Sequence, residues 1–196
     1  MKKADEIFSL AQALADERPD FFDIKGPSVG DHDTSTFMKE LESRALRTFN
    51  TNYAEQRICG KNKLCVDYYF PDEQTIVEVA LGLRNPASEY ERDILKAIMA
   101  KDSGTPVKRL LFISKPGARK RLAQPGAAAI AAWVDEKQSI KIEIRELTRR
   151  PLQSSDEELV SSAEETFLEL DRREADDARP ETAMNRFMAP LGAGCL

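Results

Sequence analysis

Apolar residues recur at helical spacing near the beginning of the chain. Between positions 4 and 16, the apolar residues at 7, 8, 10, 11 and 14 share one face, which predicts a short amphipathic helix. Arg18-Pro19-Asp20 is a helix-ending sequence, and Gly26-Pro27 and Gly30-Asp31 are turn signals, so we expect a loop over 21–33. The apolar stripe at 37, 38, 41, 45 and 49 then predicts a second helix over 36–49.

The next stretch has a pattern that is typical of β-structure. Two runs rich in β-branched and aromatic residues, 64–70 and 75–81, flank the four-residue turn Pro71-Asp72-Glu73-Gln74. Strands that are joined by so short a turn usually pair with each other. The sequence therefore predicts a β-hairpin.

Helix and strand patterns alternate in the following part of the chain. A helix is predicted over 88–99, a buried strand over 107–114, a helix with the apolar body 127–134, and an alternating strand over 139–147. The strand–helix–strand unit that spans 75–114 should be a right-handed parallel crossover. Together these elements predict an α/β fold, with a central mixed sheet of four to five strands and helices on both faces.

Charge divides the chain into segments of opposite sign. Residues 34–150 hold 21 Lys and Arg against 15 Asp and Glu, whereas 1–33 hold 4 against 8 and 151–181 hold 3 against 11. We interpret 1–33 as an N-terminal helix and loop, 34–150 as the core domain, and 151–196 as an acidic C-terminal helix and tail. A basic core with acidic ends is compatible with nucleic-acid binding, and equally with a solvated surface of charged helices.

Composition narrows the chemistry that the chain can perform. The single histidine, His32, lies among turn-forming residues, and the three cysteines have no CxxC spacing, so neither a histidine-rich nor a cysteine-rich metal site is expected. No apolar run reaches the roughly 20 residues of a membrane helix, and the N-terminus has no secretory pattern, so we expect a cytoplasmic protein without a membrane partner. Carboxylates and lysines must then carry any catalysis.

Two acidic residues lie within the predicted hairpin. Asp67 is in its first strand and Glu78 in its second, and the hairpin allows both side chains to face the same side. A carboxylate among apolar residues is costly, and a divalent cation would relieve such a pair. Hard oxygen ligands suit Mg²⁺. On spacing alone, a small magnesium site and an exposed strand face that tolerates acidic residues are equally good interpretations.

These residues resemble the PD-(D/E)XK nucleases. That family has the element order helix–strand–strand–helix–strand, with an Asp on one strand and (D/E)xK on the next, and the chain matches with Asp67 and Glu78-Val79-Ala80. The stretch 78–85, followed by the acidic stretch 89–95, looks like type II restriction endonucleases. The resemblance covers 36–147 and implies a three-layer restriction-endonuclease-like core. It also implies a Mg²⁺-dependent endonuclease that hydrolyses DNA, with Mn²⁺ as a substitute.

The resemblance assigns roles to four residues. Asp67 and Glu78 would be catalytic and would bind the metal ion with help from the Val79 carbonyl. Glu42, on the helix before the hairpin, matches the glutamate that the family often carries there. It would bind a second metal ion directly or through water.

One position departs from the family pattern. Ala80 stands where the family usually has a lysine that positions the attacking water and neutralises charge in the transition state, and alanine can do neither. One explanation is that the charge has moved to Arg84, Lys63 or Lys96, among which we favour Arg84 because it lies just past the same strand. The other is a catalytically degenerate nuclease-fold module that binds nucleic acid or a protein partner.

Basic residues of the core domain are candidates for contacts with the DNA backbone. They lie on the second predicted helix, near the hairpin and after the strand over 107–114: Arg44, Arg47, Lys61, Lys63, Lys115, Arg119, Lys120 and Arg121. The turn at Pro116-Gly117 could present backbone N–H groups to a phosphate. Restriction-type cleavage of both strands would suggest a homodimer, with the helices over 4–16 and 155–172 as candidate interfaces.

Overall fold

Helices and strands alternate along the chain largely as its hydrophobic pattern predicts. The computed structural model describes residues 1–23, 27–83 and 88–149, and all of these belong to one compact unit. The helices are α1 (Lys3–Asp16), α2 (Pro27–Phe49), α3 (Ser88–Asp102), α4 (Ala118–Leu122) and α5 (Pro125–Gln138). The strands are β1 (Ala54–Gln56), β2 (Val66–Phe70), β3 (Thr75–Val79), β4 (Arg109–Ser114) and β5 (Lys141–Glu146). A short 3₁₀ turn, Pro19–Phe22, follows α1.

The predicted hairpin is confirmed. Strands β2 and β3 pair antiparallel, with Tyr68 opposite Val77 and Phe70 opposite Thr75. Gln74 ends the connecting turn with a φ of 51°, a left-handed conformation that helps to reverse the chain within four residues. The turn chemistry and the β-branched runs therefore agree on the register of the hairpin.

The sheet is mixed and has five strands in the order β1-β2-β3-β4-β5. Strand β4 is parallel to β3, as a crossover through α3 requires, and β5 is parallel to β4. Strand β1 pairs antiparallel with β2 at one edge of the sheet, and it is the one strand among the described residues that the sequence pattern did not predict. The expectation of an α/β fold with a mixed sheet is confirmed.

Helices pack on both faces of this sheet, because alternate strand residues are apolar on both sides. One face carries Phe70, Val77 and Leu111, which join a core formed with apolar residues of α1 and α2. The other face carries Ile76, Leu110 and Phe112, which join a core formed with residues of α3 and α5. Burial of each such side chain contributes about 1.5–3 kcal/mol, so both layers stabilise the sheet. This arrangement is compatible with a three-layer fold.

The prediction of a loop over 21–33 is wrong for much of this range, because residues 27–33 are helical. Helix α2 begins at Pro27, nine residues before its predicted start, and its backbone includes His32. Proline suits the first turn of a helix, where its missing N–H has no partner to lose. Gly30 and Asp31 are therefore helical residues here, although both are common in turns. Residues 24–26 lie outside the described part of the chain.

Helix α1 is part of the core rather than a separate N-terminal segment. Ala4, Ile7 and Ala11 are fully buried in the same cluster as the strand residues of that face. The chain itself therefore covers most of the apolar face of α1, and a dimer interface at this helix stays a prediction. The second candidate interface, 155–172, and the whole acidic segment 151–196 lie outside the described residues. No helix within the described ranges is long and apolar enough to cross a bilayer.

Candidate functional site

The predicted pair of carboxylates lies at the edge of the sheet where the parallel strands end. Glu78 is the fourth residue of β3, and Asp67 is the second residue of β2. The register that places Tyr68 opposite Val77 places Asp67 opposite Glu78 one step further along. Glu78 alternates with Ile76 and Ala80, which belong to the core on the α3 side, so its carboxylate faces that side. Ligands of open α/β sheets commonly bind at such carboxyl ends of strands.

The Asp67 carboxylate replaces a backbone partner within the hairpin. Its Oδ2 accepts a hydrogen bond of 2.7 Å from the Val79 backbone N–H. The residue as a whole is half-buried, but its carboxylate group is enclosed by protein, and this burial raises the pKa of Asp67 despite the Val79 bond, which lowers it. Asp67 is thereby fixed beside the strand that carries Glu78.

Glu78 shares a lysine ammonium with a second carboxylate from α3. Lys96 Nζ lies 2.9 Å from Glu78 Oε1 and 2.8 Å from Asp93 Oδ1. Asp93 and Lys96 are three residues apart on the helix, a spacing that places both side chains on one face. All three residues are buried: Glu78 is 2% exposed, Asp93 is 4% exposed and Lys96 is 7% exposed. The site therefore contains a buried ion triad, which we define as Glu78, Lys96 and Asp93.

The triad does not fully balance the negative charge around Glu78. Burial, and then the charges of Asp67 and Asp93, raise the pKa of Glu78 to about 9, although Lys96 acts in the opposite direction. Burial lowers the pKa of Lys96, but Glu78 and Asp93 outweigh burial and raise it above its ordinary value. At neutral pH the ammonium is therefore charged, and an additional positive charge near Glu78 would lower the pKa of its carboxyl group.

Lys96 is the residue that brings positive charge to the Glu78 carboxylate. It reaches Glu78 from α3, on the side of the sheet where Ala80 is also buried. Of the alternatives considered from the sequence, Lys63 is exposed, and Arg84 lies outside the described residues, so a catalytic role of Arg84 stays a prediction. Sequence reasoning missed Asp93. Its three-residue spacing from Lys96, on the helix after the Glu78 strand, is the signal that could have identified it.

Glu42 lies near the same carboxylates from the other side. It is half-buried on α2, and burial, followed by the negative charges of Glu55 and Asp67, raises the pKa of Glu42. The Tyr68 hydroxyl is buried without a hydrogen-bond partner, and its pKa is raised by burial and by the charges of Glu42 and Asp67. Glu55, on β1, is a further acidic neighbour that the sequence did not indicate.

The positions of the acidic residues do not by themselves form a metal cage. Among the described residues, no group of three or more His, Cys, Asp or Glu is arranged to hold a metal ion. Asp67 and Glu78 supply two carboxylates at one place, with the Val79 backbone bonded to Asp67. The arrangement can therefore offer part of a cation's ligands, with water or a substrate phosphate as the others.

Four of the predicted DNA-contacting residues have side-chain partners within the fold, namely Arg44, Arg47, Lys115 and Arg119. Arg47 lies 3.6 Å from Glu40, and Arg119 Nε donates to the Ile144 carbonyl oxygen at 3.2 Å. Arg44 donates paired hydrogen bonds of 2.7 and 2.6 Å to Glu17, and a third of 3.0 Å to Glu40. Lys115 Nζ donates to the Phe21 carbonyl oxygen at 2.6 Å and lies 4.4 Å from the centre of the Phe21 ring. These contacts join helices and loops of the core, so Arg44 and Lys115 are poor candidates for binding phosphate.

The turn after β4 is also partnered. The backbone N–H groups of Gly117 and Arg119 donate to Glu146 Oε1 at 3.1 and 2.7 Å, so a protein carboxylate holds the amides that were expected to face a phosphate. Exposed basic side chains remain on this turn and near the hairpin and α2: Arg47, Lys61, Lys63, Arg119 and Lys120. The side chain of Arg121 lies outside what the structure describes.

Comparison with known proteins gives no relative, since no family model, curated protein or solved structure matches the chain. The geometry of the residues around Glu78 therefore carries the functional argument. Its main parts are two carboxylates on neighbouring strands, an ammonium from α3, and exposed lysines and arginines that include Lys120 after the parallel strand β4.

The raised pKa of Glu78 predicts that the metal-free protein loses stability as pH rises. A raised pKa means that the folded state binds the Glu78 proton more tightly than the unfolded chain, whose ordinary pKa is 4.5, so the native state is expected to bind more protons between that value and about 9. The free energy of unfolding should fall over this range, with a slope of up to about 1.4 kcal/mol per pH unit from this one group. Urea unfolding at pH 5, 7 and 9 in EDTA measures it.

Glu78→Gln mimics the protonated carboxyl and should make this slope shallower. Glu136→Gln, at an exposed position of α5, is the matched control and should keep the slope of the unmodified protein. Equal slopes for all three proteins would mean that Glu78 is ionised in the metal-free fold.

Proposed function

We propose that the protein is a Mg²⁺-dependent endonuclease that hydrolyses phosphodiester bonds of DNA. The observation that carries the proposal is the Lys96 ammonium, 2.9 Å from Glu78 Oε1, beside a strand that presents Asp67. An acidic pair with an adjacent lysine is the set of groups that the PD-(D/E)XK resemblance implies, and here the lysine comes from α3 instead of position 80. In this proposal, Ala80 occupies the third motif position, and Lys96 supplies the positive charge beside Glu78 that the family's lysine would supply.

The fold supports this proposal. The antiparallel strands β1, β2 and β3 continue into the parallel strands β4 and β5, with helices on both faces, as a restriction-endonuclease-like core requires. The acidic pair lies on the antiparallel hairpin at the edge where β3 ends. The resemblance to type II restriction endonucleases, cleavage of both strands as a homodimer, and a cytoplasmic location belong to the same proposal.

The donor set fits Mg²⁺. Asp67 and Glu78 offer hard carboxylate oxygens, and the Val79 carbonyl, on the same strand as Glu78, would be the further ligand that the resemblance implies. The raised pKa of Glu78 reflects its burial first and then the charges of Asp67 and Asp93, which a divalent cation would offset. When bound, the ion would act as a Lewis acid at the scissile phosphate and make a water more acidic. The charge of Asp67 is one of the causes that raise the pKa of Glu42, so the two carboxylates are near each other. Glu42 would bind a second metal ion directly or through water.

Lys96 has two tasks in this proposal. Its ammonium holds the Glu78 carboxylate in one orientation, and its charge stabilises the negative charge that develops on the phosphate during hydrolysis. A preformed charge inside the protein needs no reorganisation at the moment of reaction, which makes it more effective than a solvated lysine. The Lys96 ammonium is such a preformed charge, because it lies buried between α3 and the sheet.

A second function is favoured by one specific observation. The buried carboxylates already have protein partners, Lys96 and the Val79 N–H, and no group of three or more metal-ligating side chains occurs among the described residues. A nuclease fold that had lost cleavage could keep this network for stability alone. The alternative proposal is therefore a catalytically degenerate module that binds nucleic acid or a protein partner.

The two proposals differ in what a divalent cation does to stability. If Asp67 and Glu78 bind Mn²⁺, the ion should raise the melting temperature through mass action. At a free Mn²⁺ concentration a hundred times the Kd, the free energy of unfolding should increase by about 2.7 kcal/mol. Differential scanning fluorimetry with and without Mn²⁺ measures the shift. Asp67→Asn and Glu78→Gln should each abolish it, whereas Asp72→Asn, at an exposed turn position, should keep it. A shift that survives in Glu78→Gln would place the cation elsewhere.

Replacing the lysine should separate catalysis from cation binding. Lys96→Met keeps most of the side-chain volume and removes the charge, so cleavage of plasmid DNA should fall by about 10²–10⁴-fold. The melting-temperature rise with Mn²⁺ should stay or grow, because a positive charge near the cation has been removed. Lys108→Ala, at an exposed site, is the control. Unchanged cleavage by Lys96→Met would remove Lys96 from the mechanism and leave Arg84 and Lys63 as the alternatives.

DNA binding should depend on salt and on the exposed basic residues. Each phosphate contact releases counterions, so affinity should fall steeply between 50 and 200 mM salt, and each lost contact should reduce the log–log slope by about 0.9. Lys120→Glu and Lys63→Glu should weaken binding to all sequences alike in fluorescence anisotropy. Lys137→Glu, on the exposed side of α5, is the matched control. Affinity that ignores both salt and these substitutions would favour the module with a protein partner.

A further inference from the structure

We propose that Asp93 is a positioning residue that keeps the Lys96 ammonium at Glu78 while a divalent cation occupies the same carboxylate. This inference rests on the proposed function, and it assigns a role to the one member of the buried ion triad that neither the acidic pair nor the missing lysine explains. Asp93 would act through Lys96, not through contact with the substrate.

The geometry places the ammonium under the control of Asp93. Lys96 Nζ donates a hydrogen bond of 2.9 Å to Glu78 Oε1. It also lies 2.8 Å from Asp93 Oδ1, an ion-pair contact without hydrogen-bond geometry, so two carboxylates from different elements share one cation. Asp93 and Lys96 belong to the same helix and move together with it, whereas Glu78 belongs to β3. The Asp93–Lys96 pair therefore sets the position of the ammonium from the side of α3.

Asp93 is buried, whereas the carboxylate of a surface ion pair is exposed to solvent. It is 4% exposed, and the other cation near its carboxylate, Arg92, approaches only to 3.8 Å from a side chain that is 58% exposed. Removal of an unpaired carboxylate from water is costly, and fold stability alone is served as well by an apolar residue at such a position. A buried aspartate at this position needs a partner, and Lys96 is the near one.

A divalent cation at Asp67 and Glu78 would repel the Lys96 ammonium. If Glu78 were the one carboxylate that binds this ammonium, the repulsion would favour its departure. A lysine side chain has a flexible four-carbon stem, so it could leave Glu78 by rotation of its single bonds. Asp93 is a second anion that lies outside the acidic pair on the hairpin, and its attraction offsets that repulsion. With Asp93 in place, the lysine and the divalent cation can share Glu78.

The test compares full-length Asp93→Asn with the unmodified protein in two measurements. The Mn²⁺-induced rise in melting temperature should be kept, because the ligands of the cation are intact. Single-turnover cleavage of DNA should fall by about 10–100-fold, the range typical of residues that orient a metal site from its outer shell. Asp93→Asn combined with Lys96→Met should cleave no more slowly than Lys96→Met alone, because both substitutions remove the same positioned charge. Asp102→Asn, at an exposed position of α3, is the control.

Asp93→Glu keeps the charge but moves it, and it should lose less activity than Asp93→Asn. This variant also decides the matter if Asp93→Asn fails to fold. Wild-type cleavage by Asp93→Asn, or additive losses in the double variant, would overturn the role of Asp93. Loss of the Mn²⁺ shift in Asp93→Asn would overturn it too, because Asp93 would then bind the cation itself.

A separate measurement keeps this inference distinct from the proposed function. If the unmodified protein cuts no DNA with Mg²⁺ or Mn²⁺, the nuclease proposal fails, and a double-mutant cycle of Asp93→Asn and Lys96→Met on the free energy of unfolding still decides the positioning role. Coupling that persists in saturating Mn²⁺ supports it. Coupling that is present in EDTA and vanishes in Mn²⁺ overturns it, because the cation would then have displaced the ammonium. Failure of Mn²⁺ to stabilise the unmodified protein overturns both proposals.

Discussion

Burial of negative charge on the central hairpin is the constraint on which the candidate site depends. Glu78 lies in the middle strand of the sheet, covered by α3, where a carboxylate without a partner would cost several kcal/mol of stability. Lys96 supplies the partner, although burial and the charges of Asp67 and Asp93 still raise the pKa of Glu78. The β3–α3–β4 crossover therefore does more than connect parallel strands. It brings the Lys96 ammonium to Glu78 from the helix that covers this strand.

The same constraint explains why the alanine at position 80 does not leave the site without a cationic group. A lysine at that position would reach Glu78 along one strand, whereas Lys96 reaches it from the helix that packs on the same face. In the proposed nuclease, Lys96 would supply this charge from a different structural support. A lysine on α3 depends on the packing of a helix, and Asp93 gives that lysine a second, local anchor.

The hairpin, the crossover and the acidic pair could be predicted from the sequence because each depends on local chemistry. Short turns, β-branched runs and alternation fix the faces of β2 and β3, and the facing of Asp67 and Glu78 follows. Strand β1 was missed because it has three residues, and Glu55 at its centre has a φ of 48°, which interrupts the alternation. The early start of α2 was missed because Gly30 and Asp31 are common turn residues. The position of Lys96 beside Glu78 required the distance between α3 and Glu78, which no sequence pattern supplies.

The proposed function requires the hairpin carboxylates and Lys96 to form one site for a divalent cation. Crystals of the protein grown with Mn²⁺, with diffraction recorded at the manganese absorption edge, would locate the ion. We expect an anomalous peak in contact with carboxylate oxygens of both Asp67 and Glu78, with Lys96 Nζ still within hydrogen-bond distance of Glu78. A structure with manganese bound elsewhere and none at this pair, or with Lys96 displaced from Glu78 by the metal ion, would contradict it.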